Sequence, residues 1–180
     1  HIGNGGSITA IKDGKSIDTS MGLTPTEGLM MGTRVGDVDP GALVYLMQRR
    51  GIGAEELQKI INKESGVLGV SGISNDMRDI EAGIEAGDER ARIAMEMYEY
   101  RILKYIGAYA AVLDGVDIIV FTGGVGENQT KTRENLCKHL DYLGVTFDAE
   151  ANKVRGEEVV ISGPDSKVKV VVIPTDEEMM

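Results

Sequence analysis

Apolar and polar positions alternate, cluster and recur along this chain in ways that sketch its elements before any other property is used. Ser7 to Lys12 and Lys15 to Thr19 flank Asp13-Gly14, a two-residue signal for a hairpin closed by a type I′ turn. Residues 20 to 38 are rich in Gly, Thr and Met and keep no period, so they read as a long functional or connecting loop. Asp39 as N-cap and Pro40 at the first helical position predict a helix to about Arg50, stopped by Gly51. A second helix, from about Ala54 to Lys63, places Leu57, Ile60 and Ile61 on one face. Val67 to Ile73 is apolar but broken by glycine and predicts a strand or turn leading into Asn75-Asp76-Met77-Arg78. Asp88 caps a long helix to about Leu113 whose apolar set includes Ile93, Met97, Ile102, Ile106, Ala110 and Leu113. A stripe that wide implies deep burial or a partner chain. Val116 to Phe121 is the near-continuous apolar run of a strand covered on both faces. It passes through Thr122 into the glycine turn Gly123 to Asn128, and Leu136, Leu140 and Leu143 mark the helix that follows. Val159 to Ser162 and Val168 to Ile173 complete the pattern as two further strands. The order hairpin, helices, strand, helix, strands defines an α/β protein.

Composition narrows the function classes. At 180 residues the chain is long enough for one domain with a sizeable core, or two small ones. Its net charge of −10 argues against general nucleic-acid binding, which needs clustered Lys and Arg. An anionic ligand must then be held by local backbone N–H groups and a few placed cations. Cys137 is the only cysteine, which excludes a disulfide framework and fits a reducing, cytoplasmic setting. No signal peptide and no membrane-spanning apolar run is evident. The chain opens on His1, directly inside a motif, and stops at Glu178-Met179-Met180, so it reads as part of a longer polypeptide.

Two familiar phosphate motifs fail. Gly14-Lys15-Ser16 resembles the end of a P-loop, but Thr9 stands where that motif needs glycine, and the local pattern is a hairpin. After Gly124 and Gly126 the dinucleotide fingerprint lacks its third glycine, with Gln129 in that place. Three separate turns remain. His1-Ile2-Gly3-Asn4-Gly5-Gly6 is either an ordinary tight turn or a cradle of backbone N–H groups for phosphates. Ser74 to Arg78 is either a helix cap with a surface ion pair or a carboxylate and guanidinium placed for a ligand. Gly123 to Asn128 joins strand to helix and lets backbone approach a nucleotide, although a tight turn needs glycines too. The loop from Asp18 to Asp37 has glycines on both sides of Thr33-Arg34-Val35. Arg34 there either pairs Asp37 or offers its planar fork to a phosphoryl group in transfer. His139 reads as solvated surface, Cys137 as a small packing residue, and Met30-Met31 as packing.

HIGNGGS, DTSMGLTPTEGLMMGTRVGDVDP, SGISNDMRDI, FTGGVGEN and VIPTDEE, in this order and spacing, closely resemble the C-terminal half of the acetate kinase family over nearly the whole chain, His1 to Glu178. Propionate kinases share these motifs, and butyrate kinases fit less well. The resemblance implies a ribonuclease H-like, actin-like ATPase fold with a mixed sheet flanked by helices. Residues 1–180 would be the C-terminal nucleotide-binding domain of a two-domain kinase. It implies that His1, Ile2, Gly3, Asn4 and Gly5 lie along the ATP phosphates. Asp76, Met77 and Arg78, with Gly124, Val125, Gly126, Glu127 and Asn128, would flank the adenosine. Arg34 would be the transition-state arginine, and Glu177, or less readily Glu178, would help hold Mg²⁺. Met77 stands where an aromatic is common in the family, and Asp176 where Asn is common.

The implied reaction is reversible in-line phosphoryl transfer between ATP and acetate, giving acetyl phosphate and ADP. The alternatives are propionate kinase, or a non-catalytic nucleotide-binding or dimerisation domain of the same superfamily. Phosphoryl transfer needs positioning and charge stabilisation more than covalent chemistry, which suits glycine turns and a single placed arginine. The family's acetate pocket, first phosphate loop, a further magnesium-linked aspartate and a second catalytic His and Arg come from the N-terminal half. The isolated chain is therefore expected to bind nucleotide weakly and to lack kinase activity. The resemblance also implies a homodimer, with the long helix fitting the contact.

Overall fold

The computed structural model describes residues 1–176. The chain forms two compact units, one made of Ser20–Arg101 and the other of His1–Thr19 together with the chain from Ile102 onward.

The first unit begins with the loop read from sequence as aperiodic, and no helix or strand interrupts it before Pro40. It is nonetheless part of the core, because Leu29, Met30 and Met31 are buried, as their packing reading requires. Helix α1 (Pro40–Arg50) starts where expected: the Asp39 side chain accepts from the Gly41 N–H, and Gly51 closes it at φ 66°. Helix α2 (Ala54–Lys63) follows with the expected bounds. The strand or turn expected over Val67 to Ile73 is instead a short helix, α3 (Gly66–Ser71). Its first turn finds acceptors in the loop: Ser65, Val67 and Leu68 donate to the carbonyls of Thr33, Met31 and Gly32 at 2.9–3.0 Å. A short apolar run carries no period strong enough to choose helix over strand, and these tertiary acceptors made the choice. Helix α4 (Met77–Glu85), capped by Asp76 and burying Met77 and Ile80, was seen in the sequence only as a possible cap.

Helix α5 (Glu89–Val112) contributes residues to both units, and Asp88 caps it by accepting from the N–H groups of Arg90 and Ala91. Its buried seam runs through Ala91, Ala94, Met95, Tyr98, Ile102, Ile106, Tyr109 and Ala110. Ile93 and Met97, part of the stripe for which deep burial or a partner chain is expected, are not buried within the chain: they are exposed at 38% and 47%, and lie with exposed Tyr100 on one face at i, i+4, i+7 spacing.

In the other unit, strands β1 (Thr9–Lys12) and β2 (Lys15–Thr19) pair antiparallel. Asp13 (φ 52°) and Gly14 (φ 74°) supply the two left-handed residues of a type I′ turn. The register shifts between Ala10 and Ile11, so Ile17 is the extra residue of a bulge. Strand β3 (Ile118–Phe121) pairs parallel with β5 (Lys169–Val172), which pairs antiparallel with β4 (Val159–Val160), giving the mixed sheet β3-β5-β4. Coverage of β3 on both faces is not found: Ile118 and Val120 are 55% and 44% exposed. β3 is an edge strand among the described residues, and it borders a cavity of about 410 Å³ that Ile8, Ile11 and Ile106 also line. Between β3 and β4 lie helices α6 (Gly123–Asn128) and α7 (Thr130–Cys137). Leu140 and Leu143 fall beyond α7, because after Lys138 the hydrogen bonds tighten from i−4 to i−3 and end in a 3₁₀ turn, Asp141–Leu143. Leu140 is still fully buried, so the apolar spacing marked the core correctly but not the helix end.

Candidate functional site

Within the discontinuous unit the structure joins two of the three predicted turns. The His1–Gly6 segment folds back on itself, with Ile2 bridged to Gly6, and docks on the start of α6. Ile2 donates its N–H to Thr122 O at 2.8 Å, and its carbonyl accepts from Val125 and Gly126 at 2.9 and 3.1 Å. Gly123 has φ +80°, and a Cβ there would stand 2.8 Å from Ile2 O. Only glycine allows this approach. Ile2, Val125 and Gly126 are buried and act through the backbone, whereas His1, Asn4, Gly124 and Asn128 are exposed. The half-buried Glu127 turns inward to its own helix start: its Oε1 accepts from Gly123 N–H at 2.9 Å and from Thr175 N–H and hydroxyl at 2.9 and 3.0 Å. Thr122 Oγ1 and Thr175 Oγ1 are 2.6 Å apart. Asn128 Nδ2 donates to Gly124 O at 3.0 Å, closing the turn on itself.

The other predicted residues lie in the Ser20–Arg101 unit. Arg34 is half-buried, and its Nη1 donates to Pro25 O at 3.2 Å and to Met31 Sδ at 3.6 Å. The pairing of Arg34 with Asp37 is not what forms. Asp37 accepts from Gly28 N–H at 2.9 Å and makes a 2.8 Å salt bridge to Arg101. No salt bridge to Arg34 exists among the described residues, so its positive charge meets only neutral acceptors. The loop carrying it is clamped to α3 at Gly66 (φ +62°), where a Cβ would stand 2.2 Å from Met31 O and 2.8 Å from Arg34 O.

Asp76 caps α4 and grips the side chain two residues on. Its carboxylate accepts from Arg78 N–H at 2.9 Å, Nε at 3.0 Å and Nη2 at 2.5 Å. These side-chain bonds, then the backbone bond, hold its pKa down to about 2. Met77 is buried in the core. This geometry is a helix cap with an ion pair that keeps both charges at the surface.

Glu177 and Glu178 lie outside the described residues. Among the described residues no group of three or more His, Cys, Asp or Glu side chains could hold a metal ion. No helix among them is long and apolar enough to cross a membrane. Sequence reasoning missed Thr175 and Arg133 as partners of the glycine turn. Thr175 sits in the quoted VIPTDEE motif, whose carboxylates drew the attention. Arg133, one turn into α7, carried no signal of its own.

A mixed sheet flanked by helices, with two glycine segments docked on each other after a parallel strand, defines an α/β domain of the actin-like ATPase fold. The chain belongs to the Acetokinase family, whose model matches residues 1–180. It is 64% identical over 180 residues to the acetate kinase of Phocaeicola vulgatus and 61% identical over 181 residues to that of Porphyromonas gingivalis. All of this chain aligns, but it spans only 45–46% of the length of those relatives. The crystal structure of the Porphyromonas gingivalis acetate kinase superposes with a TM-score of 0.97 at 61% identity, over 99% of this chain and 45% of that one. That of a propionate kinase from Francisella tularensis gives 0.92 at 42% identity, over 99% and 46%.

Proposed function

We propose that this chain is the C-terminal, nucleotide-binding part of an acetate kinase, catalysing reversible phosphoryl transfer between ATP and acetate within the complete polypeptide. The observation that carries this reading is the docking of His1–Gly6 on Gly123–Asn128 in a chain 61–64% identical to acetate kinases. Two glycine segments locked backbone to backbone leave exposed main chain that a phosphate can approach without side-chain obstruction. His1, Gly3, Asn4 and Gly5 serve the phosphates, with Ile2 fixing their backbone. Gly124 to Asn128 and Asp76 to Arg78 serve the adenosine. Arg34 stabilises the charge of the phosphoryl group in flight, a role favoured by its lack of a carboxylate partner among the described residues. The acetate oxygen is already anionic, so no strong general base is required.

Acetate is favoured over propionate because the acetate kinases match at 61–64% and the propionate kinase at 42%. Glu177 would be the protein carboxylate that helps hold Mg²⁺, an ion that takes only one or two carboxylates beside nucleotide phosphates. When bound it would neutralise phosphate charge. The exposed Ile93, Met97 and Tyr100 of α5, with Val44 and Tyr45 of α1, supply the apolar surface of a homodimer. A cytoplasmic location accords with the single reduced cysteine.

The complete polypeptide is expected to form acetyl phosphate from acetate and ATP, read as acetyl hydroxamate, and this purified 180-residue chain to form none. ATP-dependent product from the chain alone would show that the missing residues are not needed. Failure of the complete polypeptide would remove the reading altogether.

A further inference from the structure

Among the described residues the largest fully buried side chain is a charged one. Arg133 of α7 is 0% exposed, an expensive place for a guanidinium unless every N–H is satisfied. Here all five are. Nε donates to Asn152 Oδ1 at 2.8 Å, Nη1 to the carbonyls of Gly126 and Glu127 at 2.8 Å each, and Nη2 to the carbonyls of Asn152 and Val154 at 2.9 and 2.8 Å. Five donors meet five acceptors, none of them a carboxylate. Asn152 is itself held by its Nδ2 bond to Thr130 O at 2.8 Å.

Two of those acceptors matter most. Gly126 O and Glu127 O lie in the last turn of α6, among the groups a short helix leaves without intrahelical partners. A cation is the favoured partner for such carbonyls. The other end of α6 is already held, by Ile2 O on Val125 and Gly126 N–H and by Glu127 on Gly123 N–H. With Arg133 at the back, the glycine turn is hydrogen-bonded at both ends.

We infer that Arg133 is a positioning residue for nucleotide binding, fixing the Gly123–Asn128 backbone by clamping the Gly126 and Glu127 carbonyls to the Asn152–Val154 segment. This rests on the proposal that Gly124 to Asn128 contact the nucleotide. Arg133 touches no ligand, since it is sealed in the interior. It acts through the turn.

The test uses the complete polypeptide, with Arg133→Lys, Arg133→Met and, as a milder change beside it, Asn152→Ala. Lysine retains a charge but cannot reach five acceptors in one plane. For Arg133→Met the KM for ATP and the Kd for ADP are expected to rise about tenfold, with kcat at saturating ATP and the KM for acetate within about threefold. Arg133→Lys and Asn152→Ala should show the same split at smaller size, so it remains measurable if Arg133→Met does not fold. Lower thermal stability with unchanged nucleotide constants in the folded fraction would reduce Arg133 to a purely structural residue and overturn the proposal. Equal changes in the acetate and ATP constants would overturn it as well. If the wild-type protein binds no ADP by calorimetry, the nucleotide reading itself has failed, and that is visible before any variant is made.

Discussion

Glu127 and Thr175, 48 positions apart in the chain, are joined by two hydrogen bonds to one carboxylate oxygen, 2.9 Å from the Thr175 N–H and 3.0 Å from its hydroxyl. The same oxygen takes the Gly123 N–H at 2.9 Å. Glu127 therefore ties the end of the β3–α6 turn to the segment after β5, in the manner of a carboxylate at a helix start. Glu127→Ala leaves these donors unpaired and is expected to lower stability by about 2 kcal/mol, read as a fall in urea midpoint at unchanged slope. Glu127→Gln keeps a neutral acceptor oxygen and should cost about half as much. Equal stability of both variants and wild type would mean that the bonds contribute nothing net.

Asp76 yields a pH prediction. Its pKa is held down to about 2, first by the side-chain bonds from Arg78 and then by the Arg78 N–H. A carboxylate with a depressed folded-state pKa stabilises the fold above its unfolded value, and that contribution is lost as pH falls through the folded value. The window thus runs from about pH 4 down to about pH 2. NMR titration of the Asp76 carboxyl should give a midpoint near the lower limit, and Arg78→Ala should move it upward. With Arg78 85% exposed, added salt should narrow the difference. A midpoint that Arg78→Ala leaves in place would assign the depression to the helix start alone.

What could be read from the sequence, and what could not, divides along physical lines. Caps and turns were legible because their chemistry is local: Asp13-Gly14, Asp39-Pro40, Gly51 and Asp88 do in space what their neighbours in sequence suggest. The fate of Val67 to Ile73 was not, since carbonyls of Met31, Gly32 and Thr33 more than 30 positions away start its helix. The exposed side of β3 was hidden for the same reason, because an apolar run does not say whether its sheet continues. Among the candidate site residues, glycine positions announced the turns. The residues that brace those turns, Thr175 and Arg133, are visible only once the chain is folded.

Cys137 offers a test of the packing reading. It is 2% exposed, and burial pushes its thiol up to about 12, with the nearby Arg133 only partly opposing this. At pH 8 almost none is thiolate, and the thiolate is the reacting form. Labelling by a disulfide reagent at that pH should proceed no faster than unfolding and become immediate in denaturant. Rapid stoichiometric labelling of the native protein would show that this part of α7 opens easily.

Arg34 separates the catalytic reading from a binding-only one. Its guanidinium is held in place by Pro25 O and Met31 Sδ, both neutral, and its loop is pinned by the close approach of Gly66 to Met31 O and Arg34 O. A cation held this way is positioned but not neutralised, as charge developing in a phosphoryl transition state requires. In the complete polypeptide, Arg34→Ala is expected to lower kcat about a thousandfold while the KM for ATP changes by less than about threefold. Arg34→Lys should recover only a small part, because an ammonium is a point charge without the planar fork. Circular dichroism should show no loss of fold in either variant, since the side chain's own bonds are few. If nucleotide affinity instead falls as far as turnover, Arg34 belongs to ground-state binding, and a non-catalytic nucleotide-binding domain becomes the better description of this half.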